Sequence, residues 1–239
     1  MLKLAVSGAQ GRMGKTIADL AVKDPDVELV ALLEHENHPE AEGKLHDIAI
    51  STDNSVIKGC DALIEFTLPD GTIENLKACV EHKVPMIIGT TGFDPWGINE
   101  IEVAADKIPI VFASNMSIGV NILFKLIEIT AGKIGANTIK INETHHIHKK
   151  DKPSGTAKTM AEIAEEAAGK PVDSVEAFRE GEVIGDHDIT FDSNEDILTI
   201  SHHAKDRSMF AKGAITAAKF LQGKKKGLYN MQDVLGLNS

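Results

Sequence analysis

The stretch Leu2-Lys3-Leu4-Ala5-Val6-Ser7-Gly8-Ala9-Gln10-Gly11-Arg12-Met13-Gly14 decides the fold. Its apolar run, Leu2–Val6, has strand length and stops at a glycine turn. Met13–Val22 then places Met13, Ile17, Leu20 and Ala21 on one helical face. Strand, glycine turn and helix in that order open a parallel α/β sheet. The alternation continues to about residue 115, with strands expected at Val27–Leu33, Ala62–Phe66, Pro85–Gly89 and Ile108–Ala113. Helices are expected between them at Thr72–His82 and Gly97–Asp106. Short strands separated by helices disfavour antiparallel hairpins, so this part reads as a Rossmann-like, doubly wound parallel sheet.

After Ser114 the texture changes. Ser117–Ile134 has the long apolar periodicity of a buried helix, and Lys158–Ala168 is a second helix. Thr138–Glu143, Val175–Arg179, Asp186–Phe191 and Asp196–Ala204 alternate as strands do. Strands clustered near a few helices predict a second, α+β domain with an open mixed sheet. A last helix at Ser208–Leu221 either caps that domain or returns to the first.

Composition narrows the function. The 239 residues carry 25 Lys and Arg against 36 Asp and Glu, a net charge of −11, with 4% aromatics. Such a chain is poorly suited to a phosphate backbone or to stacked bases, which argues against nucleic acid. No apolar run approaches the roughly 18–20 residues needed to span a bilayer. Met1–Val6 has no signal-peptide layout, so a cytoplasmic protein is expected. Cys60 and Cys79 lack a C-x-x-C spacing and read as structural thiols of a reducing compartment. Lys224-Lys225-Lys226 reads as cations complementing a helix C-terminus.

The turn spacing is G-x-x-G-x-x-G over Gly8, Gly11 and Gly14, one residue off the commoner dinucleotide fingerprint. On its own it suits a tight packing turn as well as a pyrophosphate site. Glu34 closes the second strand 34 − 14 = 20 residues past the last glycine, where a carboxylate accepts from a ribose 2′-hydroxyl. Together they point to a dinucleotide. The carboxylate favours NADH, and His35 stands where an arginine would help NADPH. Two further loops leave predicted strands at their carboxyl ends: Gly89-Thr90-Thr91-Gly92-Phe93 and Ala113-Ser114-Asn115-Met116. Each suits a ligand or a capped strand-to-helix turn.

Glu143-Thr144-His145-His146-Ile147-His148-Lys149-Lys150-Asp151-Lys152-Pro153-Ser154-Gly155-Thr156 gathers three of the ten histidines and three lysines in one window. Local positive charge in an acidic chain suggests an anionic ligand. Ser154 and Thr156, in a turn leading to a helix near Lys158, suit a carboxylate. Three readings compete: a metal site on His145, His146 and His148, a solvated basic loop, or a proton-donating site for an anionic substrate. Adjacent histidines point apart and nothing completes a tetrahedron, so no metal is expected.

The combination VSGAQGRMG, GTTGF, ASNMSIGVN, ETHHIHKKDKPSGTA and SHHAKDRSMFAKGA resembles the 4-hydroxy-tetrahydrodipicolinate reductase (dihydrodipicolinate reductase) family of the lysine and diaminopimelate pathway. The resemblance covers essentially the whole chain, and its histidine–lysine segment is the specific part. It implies His145 as general acid/base and Lys149 as proton donor, with His146, Gly155 and Thr156 holding the carboxylates of a small dicarboxylate substrate, beside the Ser154 that the turn already offers. Gly8, Ala9, Gln10, Gly11, Arg12, Met13, Glu34, Gly89, Thr90, Thr91, Ala113, Ser114, Asn115 and Met116 would line NADH or NADPH. It further implies a dinucleotide-binding domain over 1–116, completed by a C-terminal helix over 208–239, and a substrate-binding and oligomerisation domain over 117–207. A homotetramer joined through the second domain's sheet is expected, and Arg207 stands at the family's junction segment.

Overall fold

In the computed structural model, which describes residues 1–39, 41 and 43–238, the elements follow in this order. They are β1 (Leu2–Ser7), α1 (Arg12–Ala21), β2 (Val27–Leu33), β3 (Lys44–Leu45), β4 (Ile48–Ser51), a 3₁₀ turn (Asn54–Ile57), β5 (Ala62–Glu65), α2 (Pro69–His82), β6 (Met86–Ile88), α3 (Pro95–Ala105) and β7 (Pro109–Phe112). Next come α4 (Ile118–Ala131), β8 (Thr138–His145), α5 (Gly155–Ala168), β9 (Ser174–Arg179), β10 (Asp186–Asp192) and β11 (Ile197–His203). The chain then forms α6 (Ser208–Leu221), β12 (Gly227–Tyr229) and α7 (Met231–Val234). It divides into two units, Met1–Ser117 with the residues from Ser208 onward, and Ile118–Arg207.

The first unit is an eight-stranded sheet in the order β12-β7-β6-β5-β1-β2-β4-β3. Leu4, Ala5 and Val6 of central β1 are wholly buried, because helices cover both sheet faces and leave no wet side for polar residues. On one face Leu4, Val6 and Ile64 meet Ile17, Ala18 and Ala21 of α1 and the alanines Ala211, Ala214, Ala217 and Ala218 of α6. On the other, Ala5, Leu63, Met86 and Ile88 meet Ile73, Leu76 and Cys79 of α2 and Ile101, Ala104 and Ala105 of α3. This is the doubly wound arrangement that the sequence predicts.

Several local expectations are corrected. The sheet contains one antiparallel pair, β3–β4, at its edge. Its two-residue turn places His46 (φ 52°) and Asp47 (φ 64°) in the left-handed region, the twist that suits a tight hairpin. Neither residue is the glycine or asparagine that normally announces such a turn. Residues 208–238 are not one helix but α6, the strand β12 parallel to β7, and α7, whose Asn230 and Asp233 form a capping box. Ser239 lies outside the described residues. α2 and α3 begin at Pro69 and Pro95 rather than Thr72 and Gly97, proline being suited to a first helical turn where its missing N–H has no partner to lose.

The second unit is a four-stranded mixed sheet, β11-β10-β8-β9, in which only β8 and β9 run parallel. Ile139 and Ile141 of β8, with Ile189 and Phe191 of β10, pack under α4 and α5. The alternation that buries these residues continues along β8 to Glu143 and His145, past the apolar core. The opposite face carries Lys140, Asn142, Asp188, Thr190 and Thr199.

Candidate functional site

In the first unit, successive strands leave β1 in opposite directions, β2 on one side and β5 on the other. Open α/β sheets bind ligands at such a reversal, beyond the carboxyl ends of the strands. The backbone there is crowded enough to exclude side chains. Gly8 has φ +68°, and a Cβ on it would sit 3.0 Å from the Phe66 carbonyl oxygen. A Cβ on Gly14 would lie 2.0 Å from the Gly8 carbonyl oxygen, so the first turn of α1 presses directly on the loop. On Gly89 it would lie 2.2 Å from the Phe66 ring. Gly11 is the N-cap of α1 and supplies no side-chain cap, and no acid occupies the first turn. The helix N-terminus therefore keeps donors and positive dipole for an anion.

Glu34 follows β2 and reaches the same loop. Its Oε2 accepts from the Gln10 N–H at 2.9 Å and its Oε1 from the His35 N–H at 3.0 Å. The Ala9 N–H donates to the Leu33 carbonyl at 3.0 Å, tying the loop to β2. A turn packed closely by its glycines, an uncapped helix and an adjacent carboxylate suit the pyrophosphate and ribose of a dinucleotide. Arg12 and Ser114 are exposed, and Met13, Ala113 and Asn115 are half-buried. The Asn115 Oδ1 accepts from the Ser117 N–H at 2.8 Å. Two expected residues face inward instead. Met116 is buried in the core with Ile64 and Val111. Thr90 is buried, its hydroxyl accepting from the Thr67 N–H (3.1 Å) and the Thr72 hydroxyl (3.0 Å), while Thr91 is exposed.

The second unit gathers its titratable groups at the carboxyl end of β8. Glu143 and His145 are on the core-facing side of β8, 1% and 7% exposed, with the Glu143 Oε2 2.8 Å from the His145 Nδ1. The other carboxylate oxygen accepts from the Ser154 N–H at 2.9 Å and from Arg179 Nη2 at 3.2 Å. Arg179, at the end of β9, also donates to the carbonyls of Lys149 (3.2 Å) and Asp151, pinning the loop between β8 and α5. His187, opposite Glu143 on β10, meets the His145 ring edge-on with centroids 5.1 Å apart, and His202 of β11 stands 6.2 Å further on. A Cβ on Gly185 would come within 3.0 Å of the His145 Nε2.

Burial pushes His145 below the ordinary histidine value, and Glu143 opposes that only partly. His187 falls to about 4, from burial first and from its histidine neighbour second. Burial alone would raise Glu143, but the Ser154 hydrogen bonds and the charges of His145 and Arg179 outweigh it and hold the carboxyl below its usual range. Glu143, His145 and His187 bring three ligand-type atoms within 4.8 Å of one another. This set differs from the His145–His146–His148 trio considered from sequence. The arginine already bonded to Glu143 adds positive charge where a cation would have to sit.

Lys149 is half-buried and pairs with Asp151 at 2.9 Å. α5 begins at Gly155, not near Lys158, so Gly155 and Thr156 form its first turn. Ser154 is its N-cap, its hydroxyl accepting from the Ala157 N–H at 3.2 Å. The Asp151 carboxylate sits below its usual pKa: burial is the largest single influence, but the Lys149 contact and the backbone at Gly155 outweigh it. An acid of the chain thus occupies the helix end expected to take a substrate carboxylate. His146 is half-buried and His148 exposed. Sequence reasoning assigned no role to Glu143, Arg179 or His187. The period-two pattern Ile139, Ile141, Glu143, His145 was the available signal for Glu143, since it puts a carboxylate on the buried side.

Comparison with known proteins covers both units. Residues 2–116 match the family described as "Dihydrodipicolinate reductase, N-terminus" and residues 119–235 its C-terminus. A 4-hydroxy-tetrahydrodipicolinate reductase of Neisseria meningitidis serogroup B is 40% identical over 266 residues, covering 100% of this chain and 98% of that one. One from Nitrosospira multiformis is 38% identical over 265 residues, covering 99% and 98%. A dipicolinate-bound dihydrodipicolinate reductase from Paenisporosarcina sp. TG-14 shares the fold, with a TM-score of 0.84 at 22% identity over 98% of each chain.

Proposed function

Because the chain belongs to the dihydrodipicolinate reductase family, we propose that the two clusters divide one reduction between them. The reaction is the NAD(P)H-dependent conversion of 4-hydroxy-tetrahydrodipicolinate to tetrahydrodipicolinate with loss of water, in lysine and diaminopimelate biosynthesis. The observation that carries the division is buried His145, 2.8 Å from Glu143 and followed by a basic loop ending on the N-terminus of α5. Residues 1–116 and those from 208 onward hold the nicotinamide dinucleotide, and 117–207 hold the substrate and form the oligomer contact.

Gly8 through Met13 receive the pyrophosphate at the N-terminus of α1, and Glu34 receives ribose hydroxyls. Gly89, Thr90 and Thr91, with Ala113 through Met116, line the remainder, Thr90 and Met116 by supporting the loops from beneath. When bound, the dihydronicotinamide supplies the hydride. Glu34 followed by His35 favours NADH with NADPH tolerated. In the second unit His146, Ser154, Gly155 and Thr156 hold the substrate carboxylates, one of which competes with Asp151 at the helix end. Negative charge grows toward the ring nitrogen as the ring is reduced. A cationic Lys149 stabilises that charge more in the transition state than in the ground state, which is what lowers the barrier. His145 delivers the completing proton from Nε2. Burial lowers its pKa and so makes the protonated ring a stronger acid.

We place the enzyme in the cytoplasm as a homotetramer joined through the polar face of the second sheet; no helix among the described residues is long and apolar enough to cross a membrane. The test is dihydronicotinamide oxidation with substrate made in situ by the preceding synthase, using wild type and His145→Gln. Turnover by the wild type, and a loss of about 10²–10⁴-fold in the variant at saturating substrate, is expected for a lost general acid. Near-normal turnover of the variant overturns the proton-transfer role. Comparing kcat/KM for NADH and NADPH side by side tests the preference.

A further inference from the structure

We infer that Glu143 is the positioning residue for His145, and that it ties the proton donor and the carboxylate anchor to one buried group. The inference rests on the proton-donating role proposed for His145. Three observations carry it. The Glu143 Oε2 and the His145 Nδ1 lie 2.8 Å apart as a buried ion pair, neither has a hydrogen-bond partner elsewhere among the described residues to satisfy it, and the next nitrogen near that oxygen, His187 Nε2, is 4.0 Å away. The second carboxylate oxygen is fixed by the Ser154 N–H and by Arg179, so the carboxylate cannot turn away. Ser154 caps α5, so one carboxylate touches both the donor and the element proposed to hold the substrate.

The chemistry follows from which nitrogen faces the carboxylate. A carboxylate at Nδ1 keeps a proton there in both charge states of the ring. The exchangeable proton is then confined to Nε2, the atom that faces Gly185. The negative charge also stabilises the imidazolium, opposing the burial that depresses its pKa. Glu143 therefore sets both the tautomer and the fraction of His145 able to donate. His187, packed against the same ring, is neutral near pH 7 and adds no competing charge there.

Glu143→Gln keeps the shape and removes the charge. The expected result is a fall in kcat at neutral pH of about 10–100-fold, as when an outer-shell partner of a functional histidine is lost. The alkaline limb of the kcat profile should move to lower pH, and dinucleotide affinity should stay unchanged. Glu143→Asp, which keeps the charge, should recover part of the rate and return the limb toward its wild-type position. A Glu143→Gln enzyme with slow turnover but a wild-type pH profile shows a merely structural role and overturns the inference. Should these variants not fold, ¹⁵N NMR of the His145 ring in the wild type decides: an Nδ1–H tautomer supports the inference, an Nε2–H tautomer refutes it. The premise is tested separately by His145→Gln. If that variant is slow while Glu143→Gln behaves as wild type, only the positioning role fails; if His145→Gln turns over normally, the underlying reading fails.

Discussion

Replacing Gly14 by alanine isolates how closely α1 must approach the glycine turn. Gly14 does not have a positive φ, so alanine is acceptable to the backbone and the cost is steric alone. The added Cβ would lie 2.0 Å from the Gly8 carbonyl oxygen, 2.7 Å from its carbon and 2.8 Å from the Ala9 Cα. Ordinary contact begins at 3.4 Å, so α1 or the turn must move by about 3.4 − 2.0 = 1.4 Å. All three obstacles are backbone atoms, which cannot rotate aside. Overpacking of a tight site costs about 1–3 kcal/mol, and a rigid obstacle puts this one near the upper end. Alanine's better helix propensity returns about 1 kcal/mol, leaving a net loss of about 2 kcal/mol. At about 2–4 °C per kcal/mol, the melting transition of the first unit should fall by about 4–8 °C. Dinucleotide affinity should fall about 10–100-fold, since moving α1 costs about one charge-assisted hydrogen bond to phosphate. The assays are thermal denaturation and a titration of NADH fluorescence. Gly71→Ala on α2 is the control: its nearest obstacle is the Thr67 hydroxyl at 3.1 Å, a side-chain oxygen that can turn away. A Gly14→Ala protein with wild-type melting and wild-type affinity would falsify the close-approach argument.

Other predictions concern charge. His187 falls to about 4 on folding from an ordinary value of 6.5, so its contribution is complete above pH 6.5 and is lost as pH drops toward 4. The difference, 6.5 − 4 = 2.5 units, corresponds to about 3 kcal/mol; His187→Phe should flatten urea midpoints measured across that range, and an unchanged slope would count against it. Glu65 is fully buried, its Oε2 accepting from Asn75 at 2.6 Å while its Oε1 has no partner among the described residues; burial raises its pKa above 4.5. A raised folded pKa gives stability that is complete below the unfolded value and lost as pH climbs through the folded one. Glu65→Gln should therefore gain on the wild type as pH increases, and a gap that narrows instead would refute the assignment. Lys149→Ala should lower kcat strongly with NADH affinity unchanged; a change in cofactor affinity alone would show that Lys149 is misplaced.

The architecture was legible where one period dominates. The Leu2–Val6 run, its glycine turn and the amphipathic Met13–Val22 stretch identify the parallel sheet, because a strand buried on both faces leaves an unbroken apolar signature. The β3–β4 hairpin escaped because His46-Asp47 carries no glycine or asparagine, and β12 because three residues, Gly227–Tyr229, are too few to show alternation. Within the candidate site, His145, Lys149 and the Ser154–Thr156 turn stood out by local density of charge. Arg179 and His187 did not, since register across β8, β9 and β10 brings them to Glu143 from 36 and 44 residues away (179 − 143 and 187 − 143). Pairing between strands distant in sequence leaves no mark on any one segment.

The alanine-rich face of α6 also governs when the first unit can fold during synthesis. Ala211, Ala214, Ala217, Ala218 and Leu221 cover one side of the sheet built from residues 2–112, and β12 pairs with its β7 edge. Until these residues leave the ribosome, Leu4, Val6 and Ile64 have only α1 to cover them on that side. The second unit, residues 118–207, contains its own core and is translated whole before α6. The usual N-terminus-first order of domain folding is therefore reversed. The inserted unit matures while the nascent sheet of the first unit waits, half-covered and in need of protection from its neighbours on the polysome.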